Sequence, residues 1–327
     1  MSTASRWFCA ARVALWVGAV LCAGTVSAQS YPTKPVRVVV PYPPGGTTDL
    51  AARLLSERLG KSLGQGFVVD NKAGGTGMIG ANEVLRQPAD GYTLLVNDTS
   101  FAIQPSVQAQ LKYKLTEDFV PVTTIASTPV ALVVAANSPY KTLPEFIAAA
   151  KAKPGALEYG AGGYGGSTHL AFAVFNEQAG VDITNIPYKG AGEAMIGLLS
   201  GSVKALIAAA PSVATQLKSG KVRALAITGD QRLPLLPDVP TFAEAGLPGF
   251  KVMFWFGLVA PKGTPQPVIQ KLYESSVKAI NEPSFKQSLE LQGALPGGIP
   301  PAQFKSLMEQ ELKTWSAAAH KAGVKPQ

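Results

Sequence analysis

The sequence predicts an α/β protein with two lobes, each built on a mostly parallel sheet flanked by helices. Strand and helix patterns alternate along most of the chain, and a second series of them starts near Val130. Two glycine-rich segments each follow a strand and precede a helix, one in each series. Alternating strands and helices favour parallel sheets. Two such series favour two compact lobes separated by a cleft.

The first series contains three strands. Val36–Val40 is a β-branched run that Pro41 ends, which is typical of a buried strand. Apolar residues at helical spacing predict a helix after it, and the same alternation continues. The further predicted elements are a helix over 49–63, a strand over 67–70, a helix over 78–86 and a strand over 92–96.

The second series repeats this rhythm and is followed by a helical tail. Its predicted strands cover 130–134, a segment beginning at Tyr159, 183–186, 203–207 and 224–228. Its predicted helices cover 143–151, 167–179 and 193–200. An extended run over 250–260 and helices over 267–280 and 301–319 complete the chain.

The first 28 residues have the pattern of a cleavable signal peptide. Arg6 and Arg12 precede an apolar stretch over 13–23, and Val26-Ser27-Ala28 fits the small-x-small cleavage pattern. The apolar stretch is too short for a stable membrane span. The expected mature chain is therefore exported and covers residues 29–327.

Composition excludes several classes of function. Both cysteines, Cys9 and Cys22, lie in the predicted signal peptide, so we expect neither a disulfide nor a cysteine-based metal site in the mature protein. Loss of Arg6 and Arg12 lowers the formal net charge from +8 by two. The remaining basic residues are dispersed. This distribution argues against nucleic-acid binding and gives a mild preference for anionic ligands.

Two loops have the composition of anion-binding segments. The first, residues 41–49, reads Pro-Tyr-Pro-Pro-Gly-Gly-Thr-Thr-Asp between a strand and a helix, and the second, residues 160–170, is glycine-rich and ends in Ser167-Thr168-His169-Leu170. Glycine lets the backbone approach a ligand, and free N–H groups at a helix start attract anions. Each loop alone fits a structural turn or a flexible linker equally well. The pair, one in each lobe, indicates two ends of one site.

Known nucleotide motifs and catalytic groups fit poorly. A P-loop is excluded because no Gly-Lys-Ser/Thr ending is present, although Gly160, Gly162 and Gly165 match the spacing of a dinucleotide-binding loop. The two histidines are His169 and His320. A Ser167–His169 dyad would place its members on different helix faces. No cluster of metal ligands occurs, so we expect neither a cofactor nor a metal.

A series of short motifs extends along the whole mature chain. They are Tyr31-Pro32-x-Lys34-Pro35, Pro41-Tyr42-Pro43-Pro44-Gly45-Gly46-x-x-Asp49, Asn71-x-x-Gly74-Gly75-x-Gly77, Ala89-Asp90-Gly91-Tyr92-Thr93-Leu94, Ser167-Thr168-His169-Leu170, Pro187-Tyr188-Lys189-Gly190, Pro240-Thr241-x-x-Glu244-x-Gly246 and Trp255-Phe256-Gly257-Leu258-x-Ala260-Pro261. Together these motifs resemble the Bug family, the solute receptors of tripartite tricarboxylate transporters in Gram-negative bacteria.

This resemblance implies a type II-like periplasmic-binding-protein fold that closes around a carboxylate. It implies one lobe of residues 29–128 and 251–327, a second of residues 129–250, and crossovers near 128–130 and 250–255. By position in the family, the expected ligand-binding residues come from both lobes. They are Tyr42, Pro44, Gly45, Gly46, Thr47, Asp49, Ser100, Phe101, Gly163, Tyr164, Ser167, Thr168, Tyr188, Lys189 and Gly190.

The resemblance also implies a function. We expect a monomeric periplasmic protein, not an enzyme, that carries a mono- or dicarboxylate to a membrane transporter or to a sensor kinase. The alternative is an exported serine hydrolase that uses Ser167 and His169. This chain has Ala208-Ala209-Ala210 where relatives commonly carry a polar or acidic residue. That difference favours an apolar or aromatic carboxylate over an amino acid.

Overall fold

A computed structural model describes residues 31–326. The predicted signal peptide, with Cys9 and Cys22, lies outside the described residues. Tyr31 to Thr33 form a short segment that includes a cis peptide bond between Tyr31 and Pro32. From Lys34 onward the described chain is one compact unit.

Ten strands follow one another along the described chain. They are β1 (Val36–Val40), β2 (Phe67–Asn71), β3 (Thr93–Asp98), β4 (Phe119–Ala135), β5 (Glu158–Gly162), β6 (Thr184–Tyr188), β7 (Ala205–Ala209), β8 (Val222–Ile227), β9 (Met253–Pro261) and β10 (Leu295–Pro296).

Eleven α-helices lie between and after these strands in the described chain. They are α1 (Thr47–Leu63), α2 (Met78–Leu85), α3 (Ser100–Val107), α4 (Leu115–Asp118), α5 (Leu143–Ala152), α6 (Ser167–Ala179), α7 (Ala191–Leu199), α8 (Ala210–Lys218), α9 (Gln266–Ile280), α10 (Pro283–Leu291) and α11 (Pro301–Lys321). A single 3₁₀ turn, Gly75–Gly77, precedes α2.

The strands form two sheets that share β4. The first sheet has the order β2-β1-β3-β9-β4-β10, and the second has the order β6-β5-β7-β4-β8. Pairing of β4 with β9 extends to Pro129 opposite Met253, and pairing with β7 begins at Val130 opposite Ala209. One uninterrupted strand therefore belongs to both sheets.

The predicted α/β architecture is confirmed, and the sheets are mixed. β1 pairs with β2 and β3 in parallel, and β5 pairs with β6 and β7 in parallel, as strand–helix–strand units require. Strands β4, β8, β9 and β10 pair antiparallel. Of these, β4 belongs to both sheets, and β8, β9 and β10 each pair with β4.

The C-terminal helix α11 ties the two halves together. It packs against α3, which follows the first sheet's β3, and against α6, which follows the second sheet's β5. Phe304 and Trp315 on α11 are fully buried. Gly257 of β9 lies against the Phe304 ring, and a Cβ there would approach the ring carbon Cζ to within 2.2 Å. A glycine is thus required for helix α11 to lie this close to the first sheet.

Candidate functional site

Four strands end at the same side of the molecule. A helix begins after each of them, either directly or after a short loop. Helices α1, α3, α6 and α8 begin at Thr47, Ser100, Ser167 and Ala210, after strands β1, β3, β5 and β7. In open α/β sheets, ligands bind outside the carboxyl ends of the strands. The first turn of each helix also leaves backbone N–H groups without an intrahelical partner.

Two adjacent cavities lie at these helix starts. The first, which we call the glycine-loop cavity, has a volume of about 370 Å³. Its lining residues are Tyr42, Thr76, Ser100, Ile103, Gln104, Val107, Gln108, Gly162, Gly163, Tyr164, Gly165, Gly166, Ser167, Lys189, Val324 and Lys325. Both of its charged lining residues, Lys189 and Lys325, are cationic.

The second cavity, which we call the aromatic cavity, has a volume of about 230 Å³. Its lining residues are Thr47, Thr48, Asp98, Thr99, Ser100, Thr128, Ser167, Ala209, Pro211, Ser212, Phe254 and Phe256. The two cavities share Ser100 and Ser167. The loops of the two sheets therefore meet at one place, as the sequence predicted for 41–49 and 160–170.

The second glycine loop is held by its own backbone and by α6. The N–H of Gly162 donates to the Thr168 hydroxyl at 3.0 Å, and the N–H of Gly163 donates to the Tyr188 carbonyl at 2.8 Å. The N–H of Gly165 donates to Nδ1 of buried His169 at 2.9 Å. These loop N–H groups are thus already used. The groups left to hold an anion are the first-turn N–H groups of α6 and the Ser167 hydroxyl.

Asp49 stabilises the first loop instead of lining a cavity. Its buried carboxylate accepts from the Gly45 N–H, from Arg53 Nε and from Asn71 Nδ2, each at 2.9 Å. Burial alone would raise the pKa of Asp49, but the bonds from Arg53, Gly45 and Asn71 outweigh it and the pKa is lowered. Asp49 is therefore ionised, and its carboxylate stabilises the conformation of the loop.

A buried carboxylate, Asp98, lines the aromatic cavity. Its Oδ1 accepts from the Tyr42 hydroxyl at 3.0 Å and from the Ser100 N–H at 2.9 Å, and its Oδ2 accepts from the Thr48 hydroxyl at 2.9 Å. Burial raises the pKa of Asp98 despite these bonds. Burial, and then the nearby Asp98 charge, raise the pKa of Tyr42. Asp98 thereby joins the starts of α1 and α3.

The structure brings about half of the expected binding residues to the cavities. Those that line one or both are Tyr42, Thr47, Ser100, Gly163, Tyr164, Ser167 and Lys189. Those that line neither are Pro44, Gly45, Gly46, Asp49, Phe101, Thr168, Tyr188 and Gly190.

Local packing explains the positions of two residues that line neither cavity. Phe101 is fully buried in the hydrophobic core, with its ring centroid 5.9 Å from that of Tyr113. The helix start at Ser100 directs Phe101 inwards while Ser100 faces the cavities. The Tyr188 ring occupies the space next to Gly160 and Gly197, where a Cβ on either glycine would collide with it.

Sequence reasoning missed several lining residues, of which Asp98, Thr128, Phe254 and Phe256 are the most informative. Asp98 had a usable signal, because the buried strand β3 ends in a polar run that begins at Asn97. Alternation along β9 separates the aromatic run: Trp255 packs in the core, whereas Phe254 and Phe256 line the aromatic cavity. The departure noted at Ala208-Ala209-Ala210 also lies here, since Ala209 lines the same cavity.

The geometry gives little support to a Ser167–His169 pair. His169 lines a different cavity, together with Tyr159 and Asn176, whereas Ser167 lines the two described above. Nδ1 of His169 is occupied by the Gly165 N–H. Burial lowers the pKa of His169, which favours the neutral ring.

Neither metal clusters nor membrane-spanning helices are found in the part of the chain that the structure describes. Between residues 31 and 326 there is no group of three or more His, Cys, Asp or Glu side chains that could hold a metal ion. Within the same range, no helix combines the length and the apolar character needed to cross a membrane.

The chain is similar to known solute receptors over nearly its full length. The profile described as "Tripartite tricarboxylate transporter family receptor" matches residues 51–324. Protein BugT of Bordetella pertussis is 37% identical over 315 residues, which cover 96% of this chain and 97% of BugT. An R. palustris protein solved with adipate is 36% identical, with a TM-score of 0.76 and coverage of 91% of this chain and 100% of that one.

MatC from Rhodopseudomonas palustris, solved with bound malate, is 33% identical with a TM-score of 0.70, and the match covers 88% of this chain and 99% of MatC. The two R. palustris structures share the fold of this chain over most of its length. The sequence match and the fold agree, and the chain therefore belongs to the family of tripartite tricarboxylate transporter receptors.

Proposed function

We propose that this protein is a periplasmic receptor, exported by its first 28 residues, that captures a small organic carboxylate between two lobes. The lobes are residues 29–128 with 251–327, and residues 129–250. The protein binds the carboxylate without transforming it and delivers it to a tripartite tricarboxylate-type transporter or to a sensor kinase. It acts as a monomer.

The observation that carries this proposal is the meeting of three helix starts at the two cavities. Thr47 and Ser100 belong to helices that follow the first sheet, and Ser167 belongs to a helix that follows the second. The N–H groups at the start of α6 favour negative charge, whereas Thr47 and Ser100 add hydroxyl donors from the first sheet, since the Ser100 N–H already bonds to Asp98. A ligand held by donors from both sheets favours the closed form, because it binds that form more tightly than the open one.

Two further points support a carboxylate as the ligand. Lys189 and Lys325 line the glycine-loop cavity and give it a positive potential. The R. palustris proteins to which this chain is similar were solved with adipate and with malate, both of which are carboxylates.

The test is isothermal titration calorimetry of the purified protein with a panel of mono- and dicarboxylates and with their uncharged amides. We expect at least one carboxylate to bind and its amide to bind at least about ten-fold more weakly, since hydrogen bonds to a charged group are the stronger ones. Ser167→Ala should weaken binding of that carboxylate. Ser306→Ala is the matched control, because Ser306 lies exposed on α11 and bonds only within that helix.

Three outcomes would contradict the proposal. One is a panel in which no carboxylate binds, and another is equal affinity for acid and amide. The third concerns the hydrolase alternative: turnover of an ester that is lost in Ser167→Ala but kept in Ser306→Ala would show an enzyme.

A further inference from the structure

The two cavities differ in charge, and this difference bears on the class of ligand. Lys189 and Lys325 are the charged residues that line the glycine-loop cavity, whereas Asp98 is the charged residue that lines the aromatic cavity. A carboxylate is therefore favoured in the first and repelled in the second. A ligand that occupies both needs one anionic end and one uncharged end.

The helix starts at the aromatic cavity do not restore a preference for anions there. The first turns of α1 and α3 already face an anion of the protein, because Asp98 accepts from the Thr48 hydroxyl and from the Ser100 N–H. Helix α8 has Pro211 in its first turn, which removes one backbone donor. The start of α6 at Ser167 remains, and it is shared with the glycine-loop cavity.

Asp98 can accept a hydrogen bond from a ligand. An ionised carboxylate offers about four lone-pair sites, and three accept from the Tyr42 hydroxyl, the Ser100 N–H and the Thr48 hydroxyl. The Ser100 hydroxyl also lies close to the carboxylate, and a ligand hydroxyl can replace it. All three donors are neutral, so the charge of Asp98 is not offset by an ion pair among them. A ligand hydroxyl can donate to the remaining site on Oδ2, whereas a second ligand carboxylate cannot.

Thr128 provides an independent indication of a missing polar partner. Its side chain is 1% exposed, lines the aromatic cavity, and its Oγ1 has no hydrogen-bond partner. Buried hydroxyl groups are usually paired, so such a group indicates an absent ligand atom or water. A ligand hydroxyl that donates to Asp98 can accept from Thr128, which would satisfy both.

The rest of the wall combines hydroxyl side chains with an apolar part that carries two rings. Ala209 and Pro211 from the second sheet's side face the same cavity as Phe254 and Phe256 from β9. Phe256 is 7% exposed. Aromatic rings stabilise a neighbouring ring through edge and offset contacts beyond simple burial. A flat ring therefore fits between the polar end at Asp98 and the shared Ser167.

We infer that the ligand is an aromatic monocarboxylate with a ring hydroxyl. Its carboxylate lies in the glycine-loop cavity at the start of α6, its ring lies against Phe254 and Phe256, and its hydroxyl bridges Asp98 and Thr128. This inference rests on the proposed function and narrows its ligand class. It predicts a preference that differs from the adipate and malate of the similar R. palustris proteins.

The experiment compares 3- and 4-hydroxybenzoate with benzoate, terephthalate and adipate by isothermal titration calorimetry. We expect the better hydroxybenzoate to bind at least about ten-fold more tightly than benzoate, because its hydroxyl gains a charge-assisted bond. Terephthalate should bind more weakly than benzoate because its second carboxylate meets Asp98.

A variant tests the bridging hydroxyl directly. Thr128→Val keeps the side-chain shape and removes the hydroxyl, so the preference for hydroxybenzoate over benzoate should fall about five-fold. Thr116→Val, which lies in neither cavity, should keep the wild-type preference. If Thr128→Val fails to fold, the comparison of the five ligands on the wild-type protein decides the inference.

The outcomes separate this inference from the proposed function. Tightest binding of adipate or terephthalate, or equal binding of benzoate and both hydroxybenzoates, would overturn the inference while leaving a carboxylate receptor in place. Absence of binding by all five ligands would also overturn the inference, whereas absence of binding by every carboxylate of the wider panel of mono- and dicarboxylates would overturn the proposed function.

Discussion

Replacement of His169 with leucine should destabilise the protein through one hydrogen bond. Nδ1 of His169 accepts the buried N–H of Gly165 at 2.9 Å, and the leucine side chain offers no acceptor. A buried N–H without a partner costs about 1–3 kcal/mol of folding free energy. Both residues lie at the loop that borders the glycine-loop cavity, so the cost falls on the part of the chain that shapes the site.

The matched variant is His169→Asn, in which Oδ1 takes the place of Nδ1. Both substitutions remove the imidazole ring and its contacts with Tyr159 and Tyr164 at centroid distances of 6.3 and 5.3 Å. The two variants therefore share the loss of the ring and differ in whether an acceptor faces the Gly165 N–H. We expect urea unfolding to show the leucine variant to be less stable than the asparagine variant by about 1–3 kcal/mol. Equal stability of the two would refute this role of His169.

The burial of His169 also predicts that the folding stability of the protein depends on pH. Burial lowers the pKa of His169 in the folded protein below its ordinary value of about 6.5. The unfolded chain therefore binds the proton more readily, and the stability from neutral His169 is present above that pH and is lost as pH falls. The wild type should lose stability relative to His169→Asn between about pH 7 and pH 5. Parallel curves for the two proteins would contradict this.

Two further predictions concern the frame that holds the site. Gly257→Ala should cost about 1–3 kcal/mol of unfolding free energy, because its Cβ would overlap the buried Phe304 ring. Gly192→Ala, where no atom lies within 4 Å of the new Cβ, is the control, and equal urea midpoints would contradict the packing argument. Thr142→Ala removes the capping box that Thr142 forms with Glu145 at the start of α5, and should lower stability by about 1 kcal/mol in the same assay. An unchanged midpoint would show that this cap contributes nothing.

Local sequence patterns predict short strands whose residues nearly all favour β-structure. They predict only part of the long strand β4, whose composition is mixed. Val36–Val40 is β-branched at every position except Arg37, and its predicted bounds match β1. Strand β4, in contrast, spans 17 residues, of which only the stretch from Val130 was predicted. Pro121, Pro129 and the threonines before Val130 weaken a propensity signal. Long-range pairing with β9 and β7 overrides that local preference.

The residues of the candidate site could likewise be predicted only in part from the sequence. Loop composition was enough to predict that Tyr42 and Ser167 would come together, because strand ends in such sheets meet at one edge. Ser100 was expected only from the resemblance to the family. It could not predict that Asp49 would turn inward to Gly45, since that depends on the loop's own hydrogen bonds. Nor does the composition of the Phe254-Trp255-Phe256 run show which of its rings line a cavity, since that depends on how β9 packs.

The continuity of β4 limits how the protein can move. In many two-lobed receptors a few loop residues can absorb a large backbone rotation, but here β4 is hydrogen-bonded to β9 up to Pro129 and to β7 from Val130. A sharp bend at this point would leave buried N–H and C=O groups unpaired. Any movement of the two sheets relative to each other should therefore be distributed as small backbone rotations over several successive residues of β4. Fluorophores attached to opposite lobes would then report a modest and smoothly graded change in distance.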